Sequence, residues 1–147
     1  MKFDNIHKDI DVNCITDEVR ENTTDIFLRK LYKNTLPLHI QDFQSYWEEG
    51  KRQPKEKICM LKGVSVFKGG IDEIVDTLKK DEKKKDDKIK ENKKFKPKAK
   101  QYRYYCSLRF KKDAGKIWKT GSQHYTFFKS DSFDTDKLEI LEIKSLE

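Results

Sequence analysis

The chain has 147 residues, of which 40% are charged and only 35% apolar, and its formal net charge is +7. That length fits one domain with its own core; the polar composition is thin for a chain packed throughout, yet nine Phe, six Tyr and two Trp are too many for a disordered one. An ordered, aromatic-rich body around a polar insert satisfies both facts, and no stretch approaches the roughly 18 apolar residues of a membrane span.

Taken in chain order, residues 1–22 are polar with scattered apolar positions and read as a loosely ordered arm, without the apolar run of a secretory leader. Residues 23–147 read as a single α+β domain. From Thr24, the recurrence of Ile26, Phe27, Leu28, Leu31 and Tyr32 predicts a helix ended by Asn34 and Pro37. Ile40, Phe43, Tyr46 and Trp47 predict a second helix that stops at Gly50. The apolar, β-branched run from Lys57 to Phe67 predicts a strand bent at Gly63. Ile71, Ile74, Val75 and Leu78 then mark one face of a helix, with Asp72 and Glu73 at its positive end.

The polar insert, residues 79–100, follows as a helical or disordered segment. Strict alternation from Tyr102 to Phe110 predicts a strand with Tyr102, Tyr104, Cys106, Leu108 and Phe110 facing the core. Short strands at 116–119 and 123–129 with turns between them extend this to an antiparallel meander, and 138–146 reads as an edge strand. The expected architecture is α+β: N-terminal helices packed on a small, mostly antiparallel sheet.

Charge is distributed unevenly. Residues 79–100 hold twelve Lys against five acids, a net of +7 that equals the charge of the whole chain. A basic tract on a neutral body differs from a basic fold. The tract reads as a solvated helix or linker, as a phosphate-contacting segment, or as a contact for an acidic protein. Lys93, Lys94, Lys96, Lys98 and Lys100 form its purest part, with no acid among them. Arg103, Tyr105 and Arg109 on one strand face, with Trp118 nearby, add cations and aromatics of the kind that stack and neutralise single strands, although ordinary wet sheet faces carry such mixtures too.

His124 lies beside a turn and is the candidate general acid or base, against the plainer reading of a hydrogen-bonded histidine near Phe128. Tyr46 and Trp47 are candidate anchors for a protein interface. Cys14, Cys59 and Cys106 are odd in number and dispersed, which predicts neither a disulfide framework nor a metal or redox pair. Cys59 and Cys106 are expected as inert core thiols, and the cytoplasm as the compartment. No motif implies a cofactor or a metal.

The order Pro37-x4-Asp42-Phe43-x-Ser45-Tyr46, then Cys59-x3-Gly63-Val64-Ser65-Val66-Phe67, then His124-Tyr125-Thr126, resembles small uncharacterised bacterial proteins of defence-type operons. That resemblance spans residues 26–128 and implies no established activity. The Leu28-x-x-Leu31-Tyr32 start and the Gly63–Phe67 run also echo ADP-ribosyltransferase-like folds, without an acidic catalytic partner after them.

The expected function is therefore non-catalytic: a small cytoplasmic accessory or adaptor module that binds another macromolecule, most readily a protein. The alternatives are a nucleic-acid-binding protein that uses the Lys-rich segment and the 102–119 strands, and a small enzyme or toxin centred on His124.

Overall fold

The computed structural model describes residues 1–31, 40–50, 57–91 and 103–146. It is an α+β fold. Helix α1 (Asp4–His7) precedes strand β1 (Phe27–Leu31), and helix α2 (Ile58–Lys62) runs directly into β2 (Val64–Phe67). The long helix α3 (Ile71–Glu91) follows, then β3 (Tyr104–Phe110), β4 (Gly115–Lys119), β5 (His124–Lys129) and β6 (Leu138–Ser145). The six strands form one antiparallel sheet in the order β4-β5-β2-β1-β3-β6.

One sheet face carries the main core. Phe27, Leu31, Val66, Cys106, Leu108 and Phe127 are buried there together with Phe43, which belongs to the 3-10 turn Ile40–Phe43. Phe110 and Phe127 stack with centroids 3.9 Å apart, and Phe133 meets Phe127 edge-on at 5.8 Å. Arg29 is also buried on β1. It is satisfied by donating to the Asp42 carbonyl at 2.9 Å and the Ser65 carbonyl at 2.8 Å, and its guanidinium lies 5.8 Å from the Phe43 ring centre.

The other face is covered in two places. Ile74 and Leu78 of α3 pack on Leu28, Tyr105 and Leu146. At the β4–β5 end, Phe3, Ile6, Cys14 and Val19 pack on Phe128. Residues 1–22 are thus not a loose arm but a packed cover. They are pinned by an Arg20–Ile117 backbone bridge, with bonds of 3.0 and 2.7 Å, and by a Cys14–Cys59 disulfide.

Several elements differ from the sequence expectation, each for a physical reason. Where a helix from Thr24 is expected, residues 27–31 form strand β1, because a central strand buried on both faces gives a continuous apolar run that mimics helical spacing; Tyr32 lies outside the described residues. Residues 57–67 are not one bent strand: α2 ends at Gly63, where a Cβ would overlap Thr126 Cγ2, and only 64–67 enters the sheet. The expected second helix at 40–47 is a 3-10 turn followed by a second turn. The expected meander is also different. β4 and β5 pair with each other, but β3 pairs with β1 and β6, and the strands β2 and β1 lie between the two groups. Local alternation gives strands and cannot give non-local partners.

The α3 stripe and the edge position of β6 are as expected among the described strands. Cys106, Leu108 and Phe110 face the main core with Tyr104 partly buried beside them, while Tyr102 lies outside the described residues.

Candidate functional site

Two clefts contain residues singled out from the sequence. The larger, about 320 Å³, lies where α1, the 45–48 turn, the end of α2 and the segment after β5 meet. Trp47 lines it, while Tyr46 beside it is 41% exposed. The turn that presents them is a reciprocal cap: the Ser45 amide donates to Glu48 Oε1 at 3.0 Å, and the Glu48 amide donates to Ser45 Oγ at 3.2 Å. The Ser45-x-x-Glu48 spacing is the sequence signature of such a cap. Trp47 is also tied to α2, since its amide donates to the Leu61 carbonyl at 2.9 Å.

The polar groups of this cleft are held internally. Lys62 is buried, its Nζ donates to the Lys8 carbonyl at 2.6 Å, and the ammonium lies 4.3 Å from the Trp47 ring centre. Lys129 pairs with Glu48 at 2.7 Å. Burial pushes the Glu48 carboxyl upward, but bonds from Lys129 and from the Ser45 amide outweigh it and hold the group below its usual value. Asp131 accepts from the amides of Asp4 and Asn5 at 3.0 and 2.9 Å and so caps α1. Ile6, Trp47 and Phe133 supply the apolar walls. Sequence reading found Trp47 and missed Lys62, Lys129 and Asp131, whose partners are distant in sequence.

The second cleft, about 270 Å³, lies between α3 and the β4–β5 turn, with His124, Phe67 and Leu78 in its lining. His124 Nε2 is 3.0 Å from Ser65 Oγ, and Nδ1 is hydrogen-bonded to Thr120 Oγ1, which also reaches Thr126 Oγ1 at 3.2 Å. The Phe67 ring stands edge-on to the imidazole. Burial, and then the Lys30 charge, lower the His124 pKa, which favours the neutral ring. A neutral imidazole between two hydroxyls cross-links β2 to the β4–β5 turn. The hydroxyl of Thr120 stands where a nucleophile-activating dyad would use a carboxylate to orient its base.

Among the described residues, Arg103, Tyr105, Arg109 and Trp118 are not assembled on one open face. Tyr105 is buried under α3, and Trp118 is half-buried, 6.4 Å from Phe128 and packed with the N-terminal cover. Arg109 is partly exposed, donating to the Thr24 carbonyl at 3.2 Å and lying 3.8 Å from Glu139. Arg103 extends the β1–β3 pairing through its amide, 3.1 Å from the Leu31 carbonyl. Lys93, Lys94, Lys96, Lys98 and Lys100 lie outside the described residues.

Cysteine usage also departs from expectation. Cys14 and Cys59 are bonded, with Cα atoms 5.4 Å apart, although 45 positions separate them. The sequence distance hides the pair. Cys106 is the free cysteine among the described residues, and burial pushes its thiol up to about 12, so it is an inert core group as expected.

Among the described residues no cluster of His, Cys, Asp and Glu is arranged to hold a metal ion, and no helix is long and apolar enough to cross a membrane. No family model, curated protein or solved structure matches the chain.

Proposed function

We propose that the protein is a non-catalytic binding module, and that the Trp47 cleft is its contact surface for another protein. The observation that supports this reading is the state of the cleft's polar groups. Lys62, Lys129, Glu48 and Asp131 each have a partner within the fold, while Ile6, Trp47 and Phe133 present apolar walls. A partner's apolar side chain can then enter without stripping water from an unpaired charge. That is the condition under which a buried aromatic anchor contributes most. Tyr46 on the adjacent turn widens the contact.

The nucleic-acid reading keeps one observation in its favour. Lys79, Lys80, Lys83 and Lys84, the first lysines of the Lys-rich segment, are exposed on α3. The aromatic half of that reading loses support with Tyr105 buried.

The test compares capture by wild-type, Trp47→Ala and Trp47→Phe proteins from nuclease-treated and untreated extracts of the source cell, at low and high salt. The binding-module reading expects a partner that survives nuclease and salt, is lost with Trp47→Ala and is retained with Trp47→Phe. Capture that vanishes with nuclease or collapses with salt, and is indifferent to Trp47, overturns it in favour of nucleic acid.

A further inference from the structure

We infer that the Cys14–Cys59 disulfide is a redox latch on the Trp47 cleft. Closed, it keeps the wall contributed by Asn5 and Ile6 in place; opened by a dithiol reductant, it releases that wall and dismantles the cleft. This rests on the reading of the cleft as a contact surface and names how that surface is regulated.

The geometry points to this because the disulfide ties the segment that follows α1 to α2, and both α1 and α2 contribute walls to the cleft. Asn5 and Ile6 come from α1, and Lys62 comes from α2, which also holds Cys59. Cys14 follows α1 by seven residues, and residues 8–15 form neither helix nor strand. The Lys62–Lys8 bond, at 2.6 Å, also ties the segment after α1 to α2. The Cys14 amide donates to His7 Nε2 at 3.0 Å, which ties Cys14 to the end of α1. α1 itself is four residues long, lacks a side-chain cap at Phe3, and depends on Asp131 for its first amides. A helix that short has no stability of its own. Its position therefore depends on its cross-links, and the disulfide is the covalent one.

The chemistry balances as ordinary thiol–disulfide exchange. Cys14 is buried and Cys59 is half-buried, so the reductant's thiolate meets the Cys59 sulfur first. The Cys14–Cys59 bond breaks as a mixed disulfide forms, and Cys14 leaves as a thiolate that takes up a proton. The second thiol of the reductant then displaces Cys59 as a thiol, and the reductant departs as its own disulfide. Two electrons and two protons pass to the protein, and an oxidant of the disulfide class restores the latch.

Cys106 provides an internal control. It is fully buried in the main core, so it resists alkylation for as long as the sheet stays folded. The experiment uses the full chain with and without dithiothreitol, followed by iodoacetamide labelling and mass mapping. Hydrogen exchange is read by segment, and quenching of Trp47 by acrylamide is measured in a Trp118→Phe background. Reduction is expected to label Cys14 and Cys59 but not Cys106. It is expected to speed exchange in residues 1–16 by about tenfold or more while β3 and β5 keep their protection, and to raise quenching of Trp47. The Cys14→Ser/Cys59→Ser protein should behave as the reduced form without reductant.

Equal exchange of residues 1–16 in the two redox states overturns the latch, as does labelling of all three cysteines together on reduction. Opening on reduction combined with partner capture indifferent to Trp47→Ala leaves the latch standing and removes the contact-surface reading instead.

Discussion

The two covers on the same sheet face are built by different means. At one end, α3 lays Ile74 and Leu78 on Leu28 and Tyr105 through a regular stripe at i and i+4. At the other, Phe3, Ile6, Cys14 and Val19 reach Phe128 from a segment with one four-residue helix and no sustained period. The first cover is held by repetition, so each apolar contact is supported by the next turn of helix. The second is held by single devices: a disulfide, a carboxylate cap and a two-bond backbone bridge. A cover of the second kind can be lifted by changing one bond, whereas the first is weakened only in proportion to what is removed.

The largest expected effect separates the two at once. Replacing both Cys14 and Cys59 with serine removes a cross-link over 45 positions, expected to cost about 4 kcal/mol from loop entropy and to lower the melting temperature by roughly 10 °C in calorimetry. A change below about 1 kcal/mol would show that the apolar contacts around Phe128 hold the arm unaided, and the contrast would fail. At the other end, Leu78→Ala should cost about 3 kcal/mol in denaturant unfolding, the ordinary cost for a buried leucine in a packed stripe. Asp131→Ala removes the carboxylate oxygens that accept from two exposed α1 amides and should cost about 1 kcal/mol. Its hydrogen-exchange effect should be confined to the first residues.

The pH dependence probes the ground between the covers. The folded-state pKa of His124 is below the ordinary histidine value of 6.5, so the unfolded chain binds the proton more readily. The contribution of the neutral ring is fully present above pH 6.5 and is lost as pH falls toward and through the folded pKa. Glu48, held below 4.5, adds a loss only at more acidic pH. Unfolding midpoints measured across these two windows should show the first loss flattened in His124→Gln and the second flattened in Glu48→Gln. The smallest effect is expected at the exposed rim of α3, where Lys83→Gln should change stability by less than about 0.5 kcal/mol.

How much of this was legible in the sequence follows the same division. The α3 stripe, the alternation of β3 and the edge strand β6 were readable because their signals are local periods. β1 reads as a helix in the sequence because burial on both faces erases the period of two, leaving Phe27, Leu28 and Leu31 spaced like a helix. The packing of residues 3–19 was invisible because a segment without a period announces no face. At the candidate site, Trp47 stood out by type, but its surroundings come from distant segments: Lys62 is held by Lys8, and Lys129 by Glu48. Alternation alone puts Tyr105 on a wet face, and nothing in its strand signals that α3 covers it. His124 was rightly placed on one face with Thr126 and Phe128, yet its two hydroxyl partners, Ser65 and Thr120, come from another strand and a turn.

Burial of Cys106 has a consequence for how the chain reaches its oxidised form. Three cysteines permit three alternative bridges, and two of them would consume Cys106. That residue sits in mid-strand on β3, opposite Arg29 of β1 on one side and Ile143 of β6 on the other. Once those two neighbours have docked, its thiol is shielded on both flanks and its reactive thiolate is suppressed, while Cys14 and Cys59 remain outside the main core. Sheet assembly ahead of oxidation therefore directs pairing to the native bridge, whereas an oxidant acting on the open chain would trap scrambled isomers in which β3 cannot take its place between β1 and β6.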